Sequence, residues 1–349
     1  MRHIELHILQ SFPVSCLNRD DLNSPKTAVF GGAQRARVSS QCWKRAIREQ
    51  AKELQPELFK GERTRYIVQP IIDSLLELGK SKKDADELGQ KIAAEIATKD
   101  TEIKTKTLLF TSQSEVESFA REYVNASSDI ARKKSIENLL KKSPHDAADI
   151  AIFGRMVASD YTVKLEGAAV FSHALSTHKV DNDIDFFSAV DDLQPEEETG
   201  AGHTSTLEFN SATYYRFAAL NLDMLFDENH LACLDNEKRK KIVRAFIKST
   251  LEAVPVARRN SQNGDVRPNY VLCVIREKGH PVQLVNAFEE PVFSKNGIIK
   301  RSIELLDKEY ESLKNTWGLE AVSEIKMPEK SIKQLLEEVE KHVPASDKK

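Results

Sequence analysis

The sequence lacks the features that mark membrane proteins and most enzymes. No apolar run approaches the roughly 18 consecutive residues that a membrane span requires. No glycine-rich phosphate loop, nucleophile triad or H-E-x-x-H zinc motif occurs either. These absences predict a protein that does not enter a membrane, and they argue against most enzyme classes.

Cysteine is scarce, and its four copies are scattered along the chain. Cys16, Cys42, Cys233 and Cys273 form no C-x-x-C pair, and no histidine stands at metal-ligand spacing from them. Such cysteines are typical of free thiols in a reducing compartment. We therefore expect a cytoplasmic protein with no structural zinc and no other cofactor.

Aromatic residues are also few, at 7%, whereas 40% of the residues are hydrophobic and 30% are charged. This composition is typical of a helix-rich protein with a substantial core. The length of 349 residues favours two domains, or one domain with a large insertion.

Positive charge is concentrated in one stretch near the N-terminus. Between Leu17 and Arg48 seven Lys or Arg stand against two acids, a local charge of +5, whereas the whole chain is at −3 and the remainder therefore near −8. The seven are Arg19, Lys26, Arg35, Arg37, Lys44, Arg45 and Arg48. A basic island in an acidic chain indicates a polyanionic partner.

The second half of this stretch predicts a strand that runs into a helix. Arg35 and Arg37 alternate with apolar residues, which places both arginines on one strand face. Ser39 or Ser40 would cap the helix, whose inward face carries Trp43, Ala46 and Ile47. This helix is expected from Ser40 to about Leu54.

Cations in the first turns of a helix oppose its macrodipole, and a phosphate bound at the exposed N–H groups would remove the conflict. The alternative is a solvated basic helix face on an ordinary domain. Adjacent serines, the Gly31-Gly32 turn and a basic strand face that meet at one point favour the phosphate.

Hydrophobic periodicity divides the rest of the chain. A first strand over about 3–9 is expected to have one face in water. Residues 60–148 follow helical spacing and predict an insertion with its own core, and from Asp149 a period of two predicts strands near 150–156, 168–180 and 207–222. Between the last two, 181–206 predicts a protruding hairpin-like arm with an acidic tip.

The C-terminal third alternates helix, loop and strand. The pattern predicts an amphipathic helix over 236–254, a basic loop at 258–265, a strand over 270–275 and helices near 301–316 and 331–343. The resulting order of strand, helix, strand, strand, helix, strand is that of a ferredoxin-like α+β unit. No aromatic RNP1 run marks its central strands, so base stacking on the sheet face is not expected.

Two ordered blocks of this sequence resemble a known family. The first is Ser15-Cys16-Leu17-Asn18-Arg19-Asp20-Asp21, Phe30-Gly31-Gly32, Arg37-Val38-Ser39-Ser40-Gln41 and Lys44-Arg45-Ala46; the second runs from Gly154-Arg155-Met156 through Ser172-His173-Ala174 to Ala189-Val190-Asp191-Asp192-Leu193. Both resemble the CasC-type backbone subunit of Cascade, the type I-E CRISPR surveillance complex. The matches cover 1 to about 50 and about 149 to 226.

The resemblance implies a fold and a set of domains. An RNA-recognition-motif-like palm would occupy 1–59, 149–180 and 207–349, the last with the C-terminal helices. Helical fingers would occupy 60–148 and a β thumb 181–206.

The resemblance also implies a function in antiviral defence. The protein would bind the CRISPR guide RNA without cutting it, polymerise head to tail along it and present it for pairing with target DNA. Its partners would be further copies of itself and the large, small, processing-endonuclease and 5′-end cap subunits of the complex. We predict no metal and no membrane contact.

Particular residues follow from this interpretation. Lys26, Lys44, Arg45 and Arg48 would hold phosphates, Ser39, Ser40 and Gln41 would donate hydrogen bonds at the helix start, and Arg19 would lie nearby. By resemblance, Met156 would wedge against a displaced nucleotide, and Phe187 and Ser188 at the base of the arm would lie over it. Arg258 and Arg259 are either RNA contacts or an ordinary basic loop.

Two carboxylate motifs leave alternatives open. Asp20 or Asp21 could serve an RNA endonuclease of type III-like character, but a loop in which these aspartates cap turns and pair with Arg19 and Arg35 is favoured, since no third ligand stands nearby. The run from Asp181 to Asp185 resembles the start of a calcium loop, but phenylalanine occupies the position that requires glycine.

Overall fold

The computed structural model describes residues 1–156, 164–189, 203–255, 257–258 and 260–346, and of residues 156, 189, 203 and 204 only the backbone. The strands are β1 (His3–Ser15), β2 (Thr27–Phe30), β3 (Ala33–Val38), β4 (Glu62–Thr64), β5 (Leu109–Thr111), β6 (Arg155–Met156), β7 (Lys164–Leu165), β8 (Ala169–Phe171), β9 (Ala174–Ser176), β10 (Asp183–Ala189), β11 (His203–Asn221), β12 (Tyr270–Arg276) and β13 (Ser323–Met327). The helices are α1 (Ser40–Leu54), α2 (Val68–Glu77), α3 (Lys82–Ile96), α4 (Gln113–Asn125), α5 (Asp129–Leu140), α6 (Ala148–Phe153), α7 (Leu222–Leu225), α8 (Asn236–Glu252), α9 (Ile298–Trp317) and α10 (Ile332–Lys341).

A large antiparallel sheet organises these elements, and the α+β class is confirmed. Its main path has the order β13-β12-β1-β11-β9-β3-β2, and β8 and β10 also pair with β11. β1 lies between β11 and β12, so that both of its edges are hydrogen-bonded. A strand in this position has to be compatible with burial on both faces.

Helices cover both faces of the sheet. On one face Ile4, Leu6 and Ile8 pack with the buried sides of α8 and α10. On the other face Leu306 and Tyr310 of α9 pack with aliphatic and aromatic residues of β11 and β12. In the described part of the sheet formed by β12, β1 and β11, neither face is therefore open for nucleotide bases to stack on.

The expected wet face of β1 is buried, and that part of the prediction is wrong. His3, Glu5 and His7 are 0% exposed because α9 and the segment before it cover them. Glu5 lies 3.2 Å from His3, 3.5 Å from His7 and 3.4 Å from Arg276, and it accepts a hydrogen bond from the N–H of Val282. Burial opposes ionisation, but these partners lower the pKa of Glu5 well below its usual range.

The insertion has a core of its own. Helices α2 to α5 bury a cluster that runs from Ile67 to Leu140 and is separate from the clusters under the sheet. Ser112 caps α4 by accepting from the N–H of Glu115. The Glu115 side chain binds Arg155 at 2.7 Å instead of completing a capping box, and Arg155 also donates to the carbonyls of Phe110 and Leu140. This buried ion pair ties the insertion to the start of β6.

Two strand predictions after the insertion need correction. The stretch 148–153 is helix α6, in which Ala148 to Ile152 are all buried, so alternating isoleucines did not mark a half-exposed strand. The strand expected over 168–180 is broken into β8 and β9. By contrast, the long strand after the arm and the helix that begins at Asn236 are confirmed, and β13 pairs with β12 without having been predicted.

A tight contact positions the strand that leads into α1. Gly31, at φ +59°, packs against the backbone of Glu289 so closely that any Cβ would overlap its carbonyl oxygen. Arg35 is 0% exposed, and its guanidinium donates to the carbonyls of Ser176, Thr177, Phe288 and Glu289 at 2.8–3.1 Å. The predicted basic strand face is therefore wrong for Arg35, which holds β3 in place from inside.

Gly31→Ala should destabilise the protein by roughly 3 kcal/mol, since a left-handed alanine is strained and its methyl group would displace Glu289. Gly32→Ala is the matched control, because Gly32 has φ +70° but open space around it, and it should cost only about 1–2 kcal/mol. Urea unfolding of both variants measures the difference. Equal losses would mean that the contact with Glu289 does not restrain β3.

Candidate nucleic-acid interface

The start of α1 is held by three side chains from different segments. Ser39 is the N-cap, and its oxygen accepts from the N–H of Cys42 at 3.3 Å. The N–H of Ser39 donates to Asn18 at 2.9 Å, and the N–H of Ser40 donates to Nδ1 of His173 at 3.1 Å. The predicted cap at Ser39 and the predicted helix start at Ser40 are confirmed.

These contacts separate the serines by role. Ser39 is 7% exposed and is committed to the cap. Ser40 is partly exposed and Gln41 is exposed. Hydrogen bonds from this turn to a ligand therefore come most readily from Ser40 and Gln41.

A positive field surrounds the helix start. Burial, then the charges of Arg37 and Lys26, lower the pKa of His173. A neutral His173 agrees with its role as acceptor for Ser40. Lys26 is partly exposed, and Arg37 donates from Nε to the carbonyl of Thr27. Lys26 and Arg37 thus line the approach to the first turn.

The outer face of α1 carries the other predicted cations. Lys44 lies 5.4 Å from the centre of the Phe171 ring, and Arg48 lies 5.4 Å from that of Phe110. Arg45 is largely exposed and pairs with Glu49 at 2.9 Å, which raises its pKa. Lys44 and Arg48 have no ion pair among the described residues, so they are the less compensated charges on this face.

Sequence reasoning missed Arg63, which the fold brings to the same place. Arg63 lies on β4 of the insertion, is exposed, and has its guanidinium 4.9 Å from the Phe110 ring centre. The sequence gives no signal that Arg63 lies beside α1, because its pattern predicts the insertion as a helical unit with its own core. A single arginine there gave no reason to place it beside α1.

The loop before β2 is built on a turn. Oδ1 of Asp20 accepts from the N–H groups of Leu22 and Ser24 at 2.9 and 3.0 Å. Arg19 is exposed and donates to Asn23 at 3.0 Å. The turn-capping interpretation is confirmed for Asp20, whereas the expected pairing of the aspartates with Arg19 and Arg35 is wrong.

Met156 lies at the base of a short hairpin. In β6 its backbone pairs with Lys164 of β7, while its side chain and residues 157–163 lie outside the described part of the chain. Gly154, at φ +77°, and Gly167 approach so closely that a Cβ on either would come within 2.7 Å of the backbone N of the other. This contact closes the base of the hairpin.

The arm begins as the predicted hairpin. β10 pairs with β11 in antiparallel register, so that Phe187 opposes Ser205 and Ser188 opposes Thr204. Phe187 is 41% exposed and Phe186 79% exposed, so the Phe186 ring is largely open to solvent. Residues 190–202, including the acidic tip, lie outside the described residues.

The basic loop at 258–265 contacts the same arm. Arg258 has φ 55° and donates to the carbonyl of Glu208 in β11 at 3.3 Å. Arg259 lies outside the described residues. Arg258 therefore connects this loop to the foot of the arm.

Asp149 is a buried carboxylate beside the α1 cations. It is 0% exposed; Oδ1 accepts from the N–H of Gly61 at 3.1 Å, while Oδ2 has no hydrogen-bond partner. Burial raises its pKa to about 6, against the opposing effects of the Gly61 N–H and of Arg48. Asp149 thus loses its proton near neutral pH, next to Arg48 and Arg63.

The described residues form neither a candidate metal cluster nor a candidate membrane span. No group of three or more His, Cys, Asp or Glu in the described part of the chain could hold a metal ion. None of the helices there combines the length and the apolar character needed to traverse a bilayer.

Comparisons with known proteins agree with one another. A family model described as "CT1975-like protein" matches residues 4–345. A chain of a solved "CRISPR RNA-guided surveillance complex, pre-nicking" is 28% identical, with a TM-score of 0.80 over 98% of this chain and 100% of that one. A chain of a "CRISPR RNA-guided surveillance complex" is 24% identical, with a TM-score of 0.62 over 97% and 99%, and shares the fold. A search among curated proteins found no significant match.

Asp149→Asn should remove a pH dependence from the stability of the protein. Because the pKa of Asp149 is about 6 in the folded state against an ordinary 3.8, the folded state binds more protons between these values, and wild-type stability falls as pH rises through that window. The difference in unfolding free energy between the variant and the wild type should therefore shift in favour of the variant as pH rises from 4 to 7.5, by roughly 3 kcal/mol at most. Urea unfolding at both pH values tests this, and a constant difference would contradict it.

Proposed function

The chain belongs to the CT1975-like protein family, and from that premise we propose that it is the guide-RNA-binding backbone subunit of a type I-E Cascade complex, acting in the cytoplasm in antiviral defence. The family assignment confirms the resemblance to CasC-type backbone subunits. The observation that carries the proposal is the structural match at a TM-score of 0.80 over nearly the whole of both chains.

The chemistry of the interface supports RNA backbone binding. Lys26, Lys44 and Arg48 hold phosphates, and the side chains of Ser40 and Gln41 donate hydrogen bonds at the α1 start, where the helix macrodipole favours anions. Contacts to phosphate position a nucleic acid without reading its sequence. A subunit that carries guides of any sequence needs this property.

The covered sheet supports the presentation of bases. Since α9 packs on the face that would otherwise stack bases, RNA held at α1 keeps its bases free for target DNA. The strand order β12-β1-β11 followed by β8 and β9, with α1 and α8 as crossovers, supports a ferredoxin-like palm. RNA then follows the edge of this palm.

The mode of assembly follows from the fact that the arm and the surface that receives it are different parts of the molecule. If the arm of one copy lies over RNA held by the next, with Met156, Phe187 and Ser188 against the displaced nucleotide, the contact is heterologous. Such contacts repeat head to tail into an open helical filament unless the rotation closes. The large, small, processing and cap subunits bind to this filament.

We further propose that the subunit does not cut RNA. The carboxylate of Asp20 is engaged in capping its own turn, which favours a structural role over the type III-like endonuclease. Asp21 is exposed beside it.

Lys44→Ala should weaken RNA binding by charge. Loss of one phosphate contact on single-stranded RNA lowers the magnitude of the negative slope of log K against log salt by roughly 0.7. Lys52→Ala is the matched control, because Lys52 lies on the same helix but pairs with Glu62 at 3.2 Å. Fluorescence anisotropy across a salt series measures both. Equal slopes in wild type and a folded Lys44→Ala variant would remove Lys44 from the interface.

Asp20→Asn and Asp21→Asn should leave RNA length unchanged, as the wild type does, in the presence of magnesium or manganese. Denaturing gels of labelled RNA report the lengths. Metal-dependent cutting by the wild type that either substitution abolishes would replace this proposal with the endonuclease.

A further inference from the structure

We propose that Arg63 of the insertion and Lys44 and Arg48 of α1 form one composite phosphate site, so that the guide RNA joins the insertion to the palm. The inference rests on the proposed RNA-binding function. It adds a contact from a part of the chain in which the sequence indicated none.

The geometry of this composite site depends on one aromatic ring. Phe110 is 6% exposed and packs with Ala147, Ile150 and Leu165, so its position is defined by the core. It is the cross-strand partner of Arg63.

Two guanidinium groups share this ring. Arg63 lies 4.9 Å and Arg48 5.4 Å from its centre. The distance between the two guanidinium carbons is thus at most the sum of these two distances. Arg63 of the insertion and Arg48 of α1 therefore place like charges next to each other, although they come from different parts of the chain.

The charges of this cluster are not neutralised by ion pairs. Within the described residues, Lys44, Arg48 and Arg63 form no salt bridge, and Nε of Arg48 is buried without a hydrogen-bond partner. Partial burial and then Arg48 lower the pKa of Arg63, and burial and then Arg63 lower that of Lys44. In each case the second cause of the lowered pKa is a neighbouring cation of the same cluster.

One carboxylate, that of Asp149, lies close to two of the three cations, Arg48 and Arg63. The negative charge of Asp149 acts to raise the pKa of Arg63, which offsets part of the repulsion from Arg48. The positive charge of Arg48 in turn acts to lower the pKa of Asp149. A single negative charge against three positive ones leaves the site with a net charge of about +2 once Asp149 is ionised. An additional anion is therefore needed to balance it.

Phosphate fits this need better than a carboxylate of a partner protein. Guanidinium groups bind phosphate oxygens in bidentate geometry, and a lysine beside them adds a point charge. The cluster is also continuous with the α1 face that holds phosphates in the proposed function. A phosphate between Lys44 and Arg63 converts their repulsion into two attractions and draws the insertion onto α1.

The test compares Arg63→Gln with Arg65→Gln. Arg65 lies two residues away, but its guanidinium is already bound by the carbonyl of Thr105 at 2.8 Å and by Asp100 at 2.9 Å. On single-stranded RNA, Arg63→Gln should lower the magnitude of the slope of log K against log salt by roughly 0.7, whereas Arg65→Gln should leave this slope unchanged. Arg63→Lys keeps the charge and should restore the slope.

Hydrogen exchange supplies an independent measurement. RNA should slow amide exchange in β4 and β5 of the wild type, and this protection should be absent in Arg63→Gln. A variant that is merely less stable would exchange faster with and without RNA, yet would retain the protection and the slope, and that result would overturn the proposal.

The outcomes separate the two proposals. If Lys44→Ala loses slope but Arg63→Gln does not, the composite site is wrong and the RNA-binding function stands. If the wild type binds no RNA at any salt concentration, both fall. If Arg63→Gln weakens binding to duplex DNA while its RNA slope stays at the wild-type value, the cluster serves DNA and the proposal is again wrong.

Discussion

A buried guanidinium controls where the interface lies. Arg35 satisfies four backbone carbonyls, two at the end of β9 and two in the segment before α9. An unpaired buried charge is costly unless its donors are hydrogen-bonded. The bonds therefore fix the position of β3 relative to both segments, and Gly31 brings the preceding turn against the same backbone. Because α1 begins two residues after β3 ends, this anchoring sets the direction in which its first turn points.

The second constraint is the cover on the sheet. A ferredoxin-like sheet with one open face offers aromatic residues to bases, but here α9 buries that face, and the polar residues of β1 that would have met solvent bind one another instead. In the proposed function, RNA therefore contacts the edge of the sheet, the start of α1 and the foot of the arm. At the start of α1, Lys26 and Arg37 lie near the partly exposed Ser40, which suits contact with phosphates over contact with bases.

The insertion and the rest of the described structure are joined by two kinds of electrostatic contact. Inside, Arg155 and Glu115 form a buried ion pair with additional backbone hydrogen bonds, which holds the parts together without a ligand. At the surface, Arg48 and Arg63 bring like charges to one ring. The first contact makes the second possible, because uncompensated cations stay adjacent only when other interactions oppose their repulsion.

The sequence by itself determined the features that depend on near neighbours. The bounds of α1, its Ser39 cap and the Asp20 turn each arise from hydrogen bonds over short distances in the chain, so local patterns predicted them, as they predicted the basic island. The burial of Arg35 and of the β1 polar face, helix α6 in place of a strand, and the arrival of Arg63 beside Arg48 were decided by the tertiary structure. Each depends on segments far apart in sequence, such as β1 and α9, whose meeting is set by core packing that no local pattern records.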